Sequence, residues 1–600
     1  MNSQLAIPGK MMTLIKDGYY SAKSRFLSLP HYFQVAIISF LVSLLYLLPV
    51  LFGSRGGLYG DDLHFHIDRV RGLAGIWHSP VNFRSFYKVG QGINFFYPYL
   101  TYYPYYLLYS LFHDFYKAWM IYFYILTSLT YFIAYFSSLK ILHSRWSSHL
   151  FALLYTFAAY RLDNFIIRFA VGELIAITFL PLVFSGLYLI LRGNYGKWYY
   201  LSFGITLILY SHILSFVMAV VLVIFIYLTT IWFSKERLVR SGYLAVAGLA
   251  GFAMGSFQLF PMLEQLNYHR LIIPGKFTDD LEVKKLSDLI STAFLNDLQQ
   301  HTFGLFVLIS FLLVIGFLIR SFFIKKIKAI DYYLFGLTLI LIILETPFFD
   351  LSALSTIQFV WRLNAYISLF VFFLLAKFIG HSSFKYLGRG SIYLILLVTL
   401  MLVHSTTCYN YFNDVHKNPV NHSSELSKRN SPNKLANSIM LTDYANHSQG
   451  KKREIYDADN KIHHRVFEHN STSNQLESWA SFENSSAIFT VINPSWDSQI
   501  VDLPVYHYKG QIAWIDGQPV SSLLSKSSGS TMVYLPPGEH QVEISYDYTP
   551  LAKIAFLFSV LTLLNIIVHI VYINNSLRHF SSWLPALKRM KRKTPYKMSI

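Results

Sequence analysis

The chain has 600 residues, of which 54% are hydrophobic and only 14% charged, with a formal net charge of +18. A mean hydropathy of +0.39 and repeated apolar runs, long enough to cross a hydrocarbon core of roughly 30 Å, exclude a soluble globule. The positive charge falls in short clusters between those runs, as in the cytoplasmic loops of membrane proteins, so it gives no reason to expect nucleic acid as a partner.

The first apolar segment, 32–52, follows Lys10, Lys16, Lys23 and Arg25. It is long and lacks a small-residue cleavage pattern after it, so it reads as a retained anchor. Further spans are expected at 117–139, 148–162, 173–191, 198–212, 214–233, 241–262, 303–320, 331–348, 357–377, 391–407 and 551–573, about twelve in all. Lys and Arg gather in alternate connections, from Lys140 and Arg145 through Lys235, Arg237 and Arg240 to a tail with Lys588, Arg589 and Lys591. Both termini are therefore expected in the cytoplasm. The Tyr-rich stretch 95–112, with Pro98 and Pro104, is expected to stay on the outer side, lying on or dipping into the interface.

The expected fold is thus a polytopic α-helical membrane protein with an extracytoplasmic, β-rich C-terminal domain. Its parts are a cytoplasmic segment 1–31, a multi-span domain 32–407 with a first outer loop 53–116, an outer domain 408–549, a last span 550–573 and a basic cytoplasmic tail 574–600 that can touch anionic lipid. Within the outer domain, 408–480 is polar and reads as loop-rich. Alternation at 488–492, 511–515, 531–535 and 541–546, with turns at Asp516-Gly517 and Pro536-Pro537-Gly538, predicts a small β-sandwich. The sole cysteine, Cys408, can make no intrachain disulfide.

The first outer loop carries the chemistry. Gly60-Asp61-Asp62-Leu63-His64-Phe65-His66 opens a helix whose apolar stripe is Leu63, Ile67, Val70 and Ala74. One flank carries Asp62, His66 and Arg69, the other Asp61, His64, Asp68 and Arg71. Arginines there can bind phosphate, while a carboxylate can take a proton from a sugar hydroxyl. Asp61, Asp62, His64 and His66 could together organise a divalent cation, although no second cluster closes a zinc site. The plain alternative is that Asp61 caps the helix and the rest is a solvated face. Arg161, Asp163 and Arg168 share the next outer turn, and Glu173 stands where a span begins, a costly place for an acid that is neither paired nor used. The Arg pair fits a carrier phosphate or interfacial snorkelling equally well. His212 closes a tight outer hairpin with Ser211, either titrating near the surface or capping a span, and Arg362 is a third candidate phosphate contact beside Trp361.

An acidic motif in the first outer loop of a roughly twelve-span protein with an outer C-terminal domain is similar to the GT-C superfamily of glycosyltransferases. More narrowly, Gly60-Asp61-Asp62 to Arg69, Phe169-Ala170-Val171-Gly172-Glu173, Ser211-His212 and Gln358-Phe359-Val360-Trp361-Arg362 resemble bacterial membrane proteins labelled "6-pyruvoyl-tetrahydropterin synthase-related"; no residue here points to pterin chemistry. The GT-C resemblance implies transfer of a sugar from a polyprenyl-phosphate carrier to a cell-envelope acceptor, with Asp61 or Asp62 as base or metal-organising acid, in a bacterial plasma membrane. No P-loop, glycine-rich dinucleotide turn, paired CxxC or nucleophile elbow occurs, which removes nucleotide-driven pumps and lipase-type hydrolases. Two readings of other classes stay open: a transporter or flippase of an envelope lipid precursor, and a non-catalytic scaffold whose outer domain grips an envelope polymer.

Overall fold

The computed structural model describes residues 24–268, 271, 281–324, 328–349, 357–381, 388–418, 480–525 and 529–591. Most of the outer segment expected to be loop-rich, 419–479, lies outside the described residues, while 408–417 continues the helix Arg389–Lys417.

Among the described residues, eight helices are long and apolar enough to cross a membrane: His31–Gly53, Phe115–Leu142, Val171–Leu191, Ile213–Phe233, Leu305–Phe323, Val360–Gly380, Arg389–Lys417 and Pro550–Tyr572. A ninth forms if Arg237–Met254 and Ser256–Tyr268, bent by 69°, count as one. This corrects the expected twelve. The runs at 148–162, 198–212 and 331–348 form the shorter helices Arg145–Thr156, Tyr199–Leu209 and Ala329–Leu344, and the first of these runs is broken before a separate helix, Ala159–Ile166. At 1.5 Å per residue they reach about 18, 17 and 24 Å, short of a hydrocarbon core.

The short pieces still carry the chain back along the bundle. Leu191 meets Arg240 through its carbonyl, whereas at the other end of the same helix an added Cβ on Gly172 would sit 2.8 Å from the Ser211 carbonyl. Residues 192–211 therefore return antiparallel to Val171–Leu191. The close approach is made by glycines, since a Cβ on Gly186 or Gly204 would fall within 3 Å of the facing backbone at Leu201 or Val183. Val171–Leu191 and Val360–Gly380 are the central helices, with 78% and 72% of their apolar windows buried against 17% for Ile213–Phe233.

The C-terminal strands form two antiparallel sheets, ordered β1-β2-β8-β4-β5 and β3-β7-β6, with β1 Ala480–Phe482, β2 Ser486–Asn493, β3 Gln499–Tyr506, β4 Gln511–Ile515, β5 Gln518–Val520, β6 Leu523–Leu524, β7 Ser530–Leu535 and β8 Gly538–Tyr546. Alternating Val533, Leu535, Val542 and Ile544 fill the space between the sheets. The turn at Asp516-Gly517 has both residues at positive φ, 48° and 77°, which matches the twist of a two-residue hairpin.

This domain does not hang free. Its core continues into the first loop through Val81, Phe83, Val89, Phe95 and Phe96. Tyr506 N–H donates to Val89 O, Tyr508 OH to Gln91 Oε1 and Tyr548 OH to Ile76 O. The stretch 95–112 contributes a ten-residue helix, Tyr103–Phe112, about 15 Å long and too short to span. The stripe Leu63, Ile67 and Val70 is fully buried in the main core.

Gln265 clamps the domain to the bundle: its Nε2 donates to Lys509 O at 2.8 Å and its Oε1 accepts from Lys509 N at 3.0 Å, with the side chain completely buried. Gln265→Ala orphans both groups, so we expect a loss of about 1–3 kcal/mol, read as a lower Tm and as faster exchange at the Lys509 amide.

Candidate functional site

The site is built on a backbone pairing between the first loop and the turn before the Val171–Leu191 helix. Asp61 N donates to Ile167 O and Asp62 N to Arg168 O, each at 2.9 Å. Gly60 makes this possible: its φ is +134°, and an added Cβ would lie 2.6 Å from Phe169 Cβ. Asp62 occupies the N-cap position of the helix Leu63–Arg71, and its side chain makes no capping bond.

Asp62 is accessible to solvent but closely surrounded, and the loss of hydration lifts its pKa to about 6. Arg168 and Arg362 pull it down while Asp61 and Glu173 push it up. A helix N-terminus would favour the carboxylate by only about 0.3–1 kcal/mol, so desolvation wins.

Glu173, in the first turn of its helix, gathers the cluster. Arg168 Nη1 donates to its Oε2 at 2.9 Å, Tyr160 OH donates to its Oε1, and Arg362 Nη1 lies 3.7 Å from Oε2. Arg168 Nη1 also reaches Asn164 Oδ1 at 2.6 Å, and its guanidinium stacks 4.3 Å above the Trp361 ring. Beneath Trp361 lies His301, stacked at 4.3 Å and bonded through Nδ1 to Asp163 Oδ2 at 3.0 Å. Trp361 Nε1 donates to Glu282 Oε2 at 2.7 Å. Arg362 Nη2 donates to Gln358 Oε1 at 2.9 Å, while its buried Nε and Nη1 have no hydrogen-bond acceptor.

His212 caps the helix Ile213–Thr230, its Nδ1 accepting from Ser215 N, and it lies among Arg362, Glu173 and Arg168. Thus Asp62, Arg168, Glu173, His212 and Arg362, drawn from four separate segments, converge.

The remaining predicted residues go elsewhere. Arg161 is completely buried, donating to Thr127 Oγ1 at 2.8 Å and lying over the Tyr46 and Phe123 rings. The helix Ala159–Ile166 directs it inward and ends before Arg168, which lies in the turn beyond that helix and does not share its face. Arg69 Nη2 donates to the Tyr97 and Pro98 carbonyls, beneath three aromatic rings, so it fastens the first loop. His66 is buried between Phe65, Tyr102 and Phe169, and burial holds its imidazole well below the ordinary value, hence neutral. Among the described residues no group of three or more His, Cys, Asp or Glu side chains converges for a metal ion; Asp61, Asp62, His64 and His66 therefore do not by themselves make the cation site that their spacing suggested. Tyr160, Asn164, His301 and Gln358 were missed as site residues, because nothing local in the sequence distinguishes them from core and loop polar groups.

No family model matches the chain, and no curated protein matches it. Among solved structures it is similar to the cryo-EM structure of the arabinofuranosyltransferase AftD from Mycobacteria, at 14% identity and a TM-score of 0.41, over 74% of this chain and 29% of AftD. The chain therefore spans less than a third of AftD's length, and the activity in that name is AftD's alone.

Removing one partner of a buried, hydrogen-bonded charge cluster costs far more than the cluster contributes net. Glu173→Gln is expected to lower stability by about 3–5 kcal/mol, whereas Tyr160→Phe should cost about 1–3 kcal/mol, both measured by thermal unfolding in nanodiscs.

Proposed function

We propose that the protein is a membrane glycosyltransferase that moves a sugar from a polyprenyl-phosphate carrier to a cell-envelope acceptor on the outer face of a bacterial plasma membrane, with both termini cytoplasmic. One observation carries this reading. An accessible carboxylate, Asp62, lies among Arg168, Arg362 and Glu173, and the buried Nε and Nη1 of Arg362 have no hydrogen-bond acceptor.

The acceptor hydroxyl oxygen attacks the anomeric carbon and its proton passes to Asp62. The bond between that carbon and the phosphate oxygen breaks, its electron pair leaving with the polyprenyl phosphate. Attack from the face opposite the phosphate inverts the anomeric centre. A base near pKa 6 is mostly ionised at neutral pH yet basic enough to take the proton as the new bond forms. Arg362 and Arg168 face the growing charge on the leaving phosphate, and their positions are fixed beforehand by Glu173, Trp361 and Gln358.

A transporter usually places its working charges near the middle of the bundle. Here the cluster with its accessible Asp62 stands at helix starts on the β-domain end, and the part-buried Lys377 is paired with Asp331. This distribution supports the enzyme over the flippase.

Asp62→Asn should lower transfer by at least about 100-fold without lowering Tm, because the fold gains nothing from a desolvated charge. Mass spectrometry of envelope glycans in cells lacking the protein, rescued by wild type or by the variant at equal membrane levels, measures the transfer. Full rescue by Asp62→Asn would sink the assignment. For the wild-type enzyme, kcat/KM should rise with pH through about 6 and then level, as the base ionises. The sign for stability is opposite: a carboxyl whose folded pKa is raised favours the fold when protonated, so this contribution fades as pH rises through about 6.

A further inference from the structure

Asp61 and Asp62 are neighbours in sequence but border different spaces. Asp62 lies among Arg168, Arg362 and Glu173. Asp61 is held against Ile167 O, and its charge bears on Tyr411. Ile167 and Tyr411 are both wall residues of a second space, a groove of about 680 Å³ between the segment Leu286–Gln300 and the outer part of the Arg389–Lys417 helix. That volume falls within the roughly 300–1,000 Å³ of ligand clefts.

The groove differs chemically from the arginine side. Asp297, Gln299, Thr406, Asn410 and Asp414 supply its polar wall, and among the described residues no Lys or Arg lines it. Among the described lining residues the only charged groups are Asp297 and Asp414, so an anionic ligand would meet two carboxylates in the wall, at a cost that low local dielectric enlarges. A neutral chain of hydroxyls suits the same wall: its O–H groups donate to carboxylates, and its oxygens accept from the Asn and Gln amides. The groove is already crossed by one long bond of this type, Gln299 Nε2 to Asp414 Oδ2 at 3.3 Å, which a sugar hydroxyl can replace on both sides. Phe294 and Leu295, 67% and 73% exposed, offer an apolar edge for the C–H faces of sugar rings or for a lipid tail.

We propose that this groove is the acceptor site and that it receives a neutral polyhydroxyl chain, either a free glycan or the head of a neutral glycolipid, delivering its end hydroxyl past Asp61 to Asp62. This rests on the glycosyltransferase reading above, and it divides the site into an anion side at Arg168 and Arg362 and a neutral side at the groove. Thr406 is exposed, and its hydroxyl bonds only to Leu402 O within its own helix, so Thr406→Trp fills the groove without opening the core.

The test is native mass spectrometry of the full chain in nanodiscs with three probes: undecaprenyl phosphate, neutral oligosaccharides released from the host envelope, and the host's neutral glycolipids. Thr406→Trp should weaken the neutral probes about tenfold or more, equivalent to about 1.4 kcal/mol, and Asn410→Ala should weaken them less; undecaprenyl phosphate should be unaffected by either. Arg362→Gln should do the reverse. Binding by the free glycan, or by the glycolipid alone, identifies the source, and either outcome supports the groove. If no neutral probe binds wild type, or if Thr406→Trp weakens undecaprenyl phosphate and spares the neutral probes, the acceptor assignment is overturned. If instead Arg362→Gln leaves undecaprenyl phosphate binding intact, the donor side of the glycosyltransferase reading fails while the groove result stands.

Discussion

A single buried carboxylate, Glu173, is the constraint on which the site depends. Its two oxygens draw together Tyr160 from the helix Ala159–Ile166, Arg168 from the turn before its own helix and Arg362 from the start of the other central helix. An acid in this position would be costly on its own, and two guanidiniums would be more so. Together they nearly balance, but Glu173 sits 2.9 Å from Arg168 and 3.7 Å from Arg362, which leaves the buried Nε and Nη1 of Arg362 without a hydrogen-bond acceptor. These spare N–H groups are held in place by the fold itself, which is the condition for binding an anion with little reorganisation.

The first loop acts as a layer between two cores. Below, Leu63, Ile67 and Val70 join the helical core; above, Val81, Phe83, Val89 and Phe95 join the β domain. Arg69 ties the loop to itself through the Tyr97 and Pro98 carbonyls. The carboxylates at 61 and 62 are thus set on a segment packed on both faces, and the β domain contributes to their rigidity although none of its strands belongs to the cluster.

Patterns confined to one element were legible in the sequence. Span-length apolar runs, alternating strands, the acidic pair, an acid at a helix start, a tight outer hairpin and an arginine at a span end each have a local signal, and these single out Asp62, Glu173, His212 and Arg362, which the structure brings together. Local pattern failed where one element ended and another began. Arg161 and Arg168 are seven residues apart and would share a face on a continuous helix; the helix that carries Arg161 ends at Ile166, and Arg168 lies in the turn beyond it. The run 148–162 read as a span because hydropathy does not register the interruption between Arg145–Thr156 and Ala159–Ile166. His301 and Gln358 were invisible because their importance is a matter of meeting Trp361 and Arg362 in space. Strand β3 was missed for a related reason: Asp502 and Pro504 interrupt its alternation, yet one edge pairs with β7.

The cap on the Ile213–Thr230 helix has a consequence for what the cluster can recognise. Ser215 Oγ lies 2.8 Å from Nδ1 of His212 and Ser215 N 3.3 Å from it; a backbone N–H can only donate, so both contacts are served when the neutral ring carries its hydrogen on Nε2. In that tautomer the far side of the imidazole is a one-way donor. It can greet an oxygen bearing lone pairs, but it has nothing to offer a hydroxyl that needs to give its hydrogen away. A backbone requirement of one helix end thus sets the polarity of ligand atom that this corner of the protein accepts.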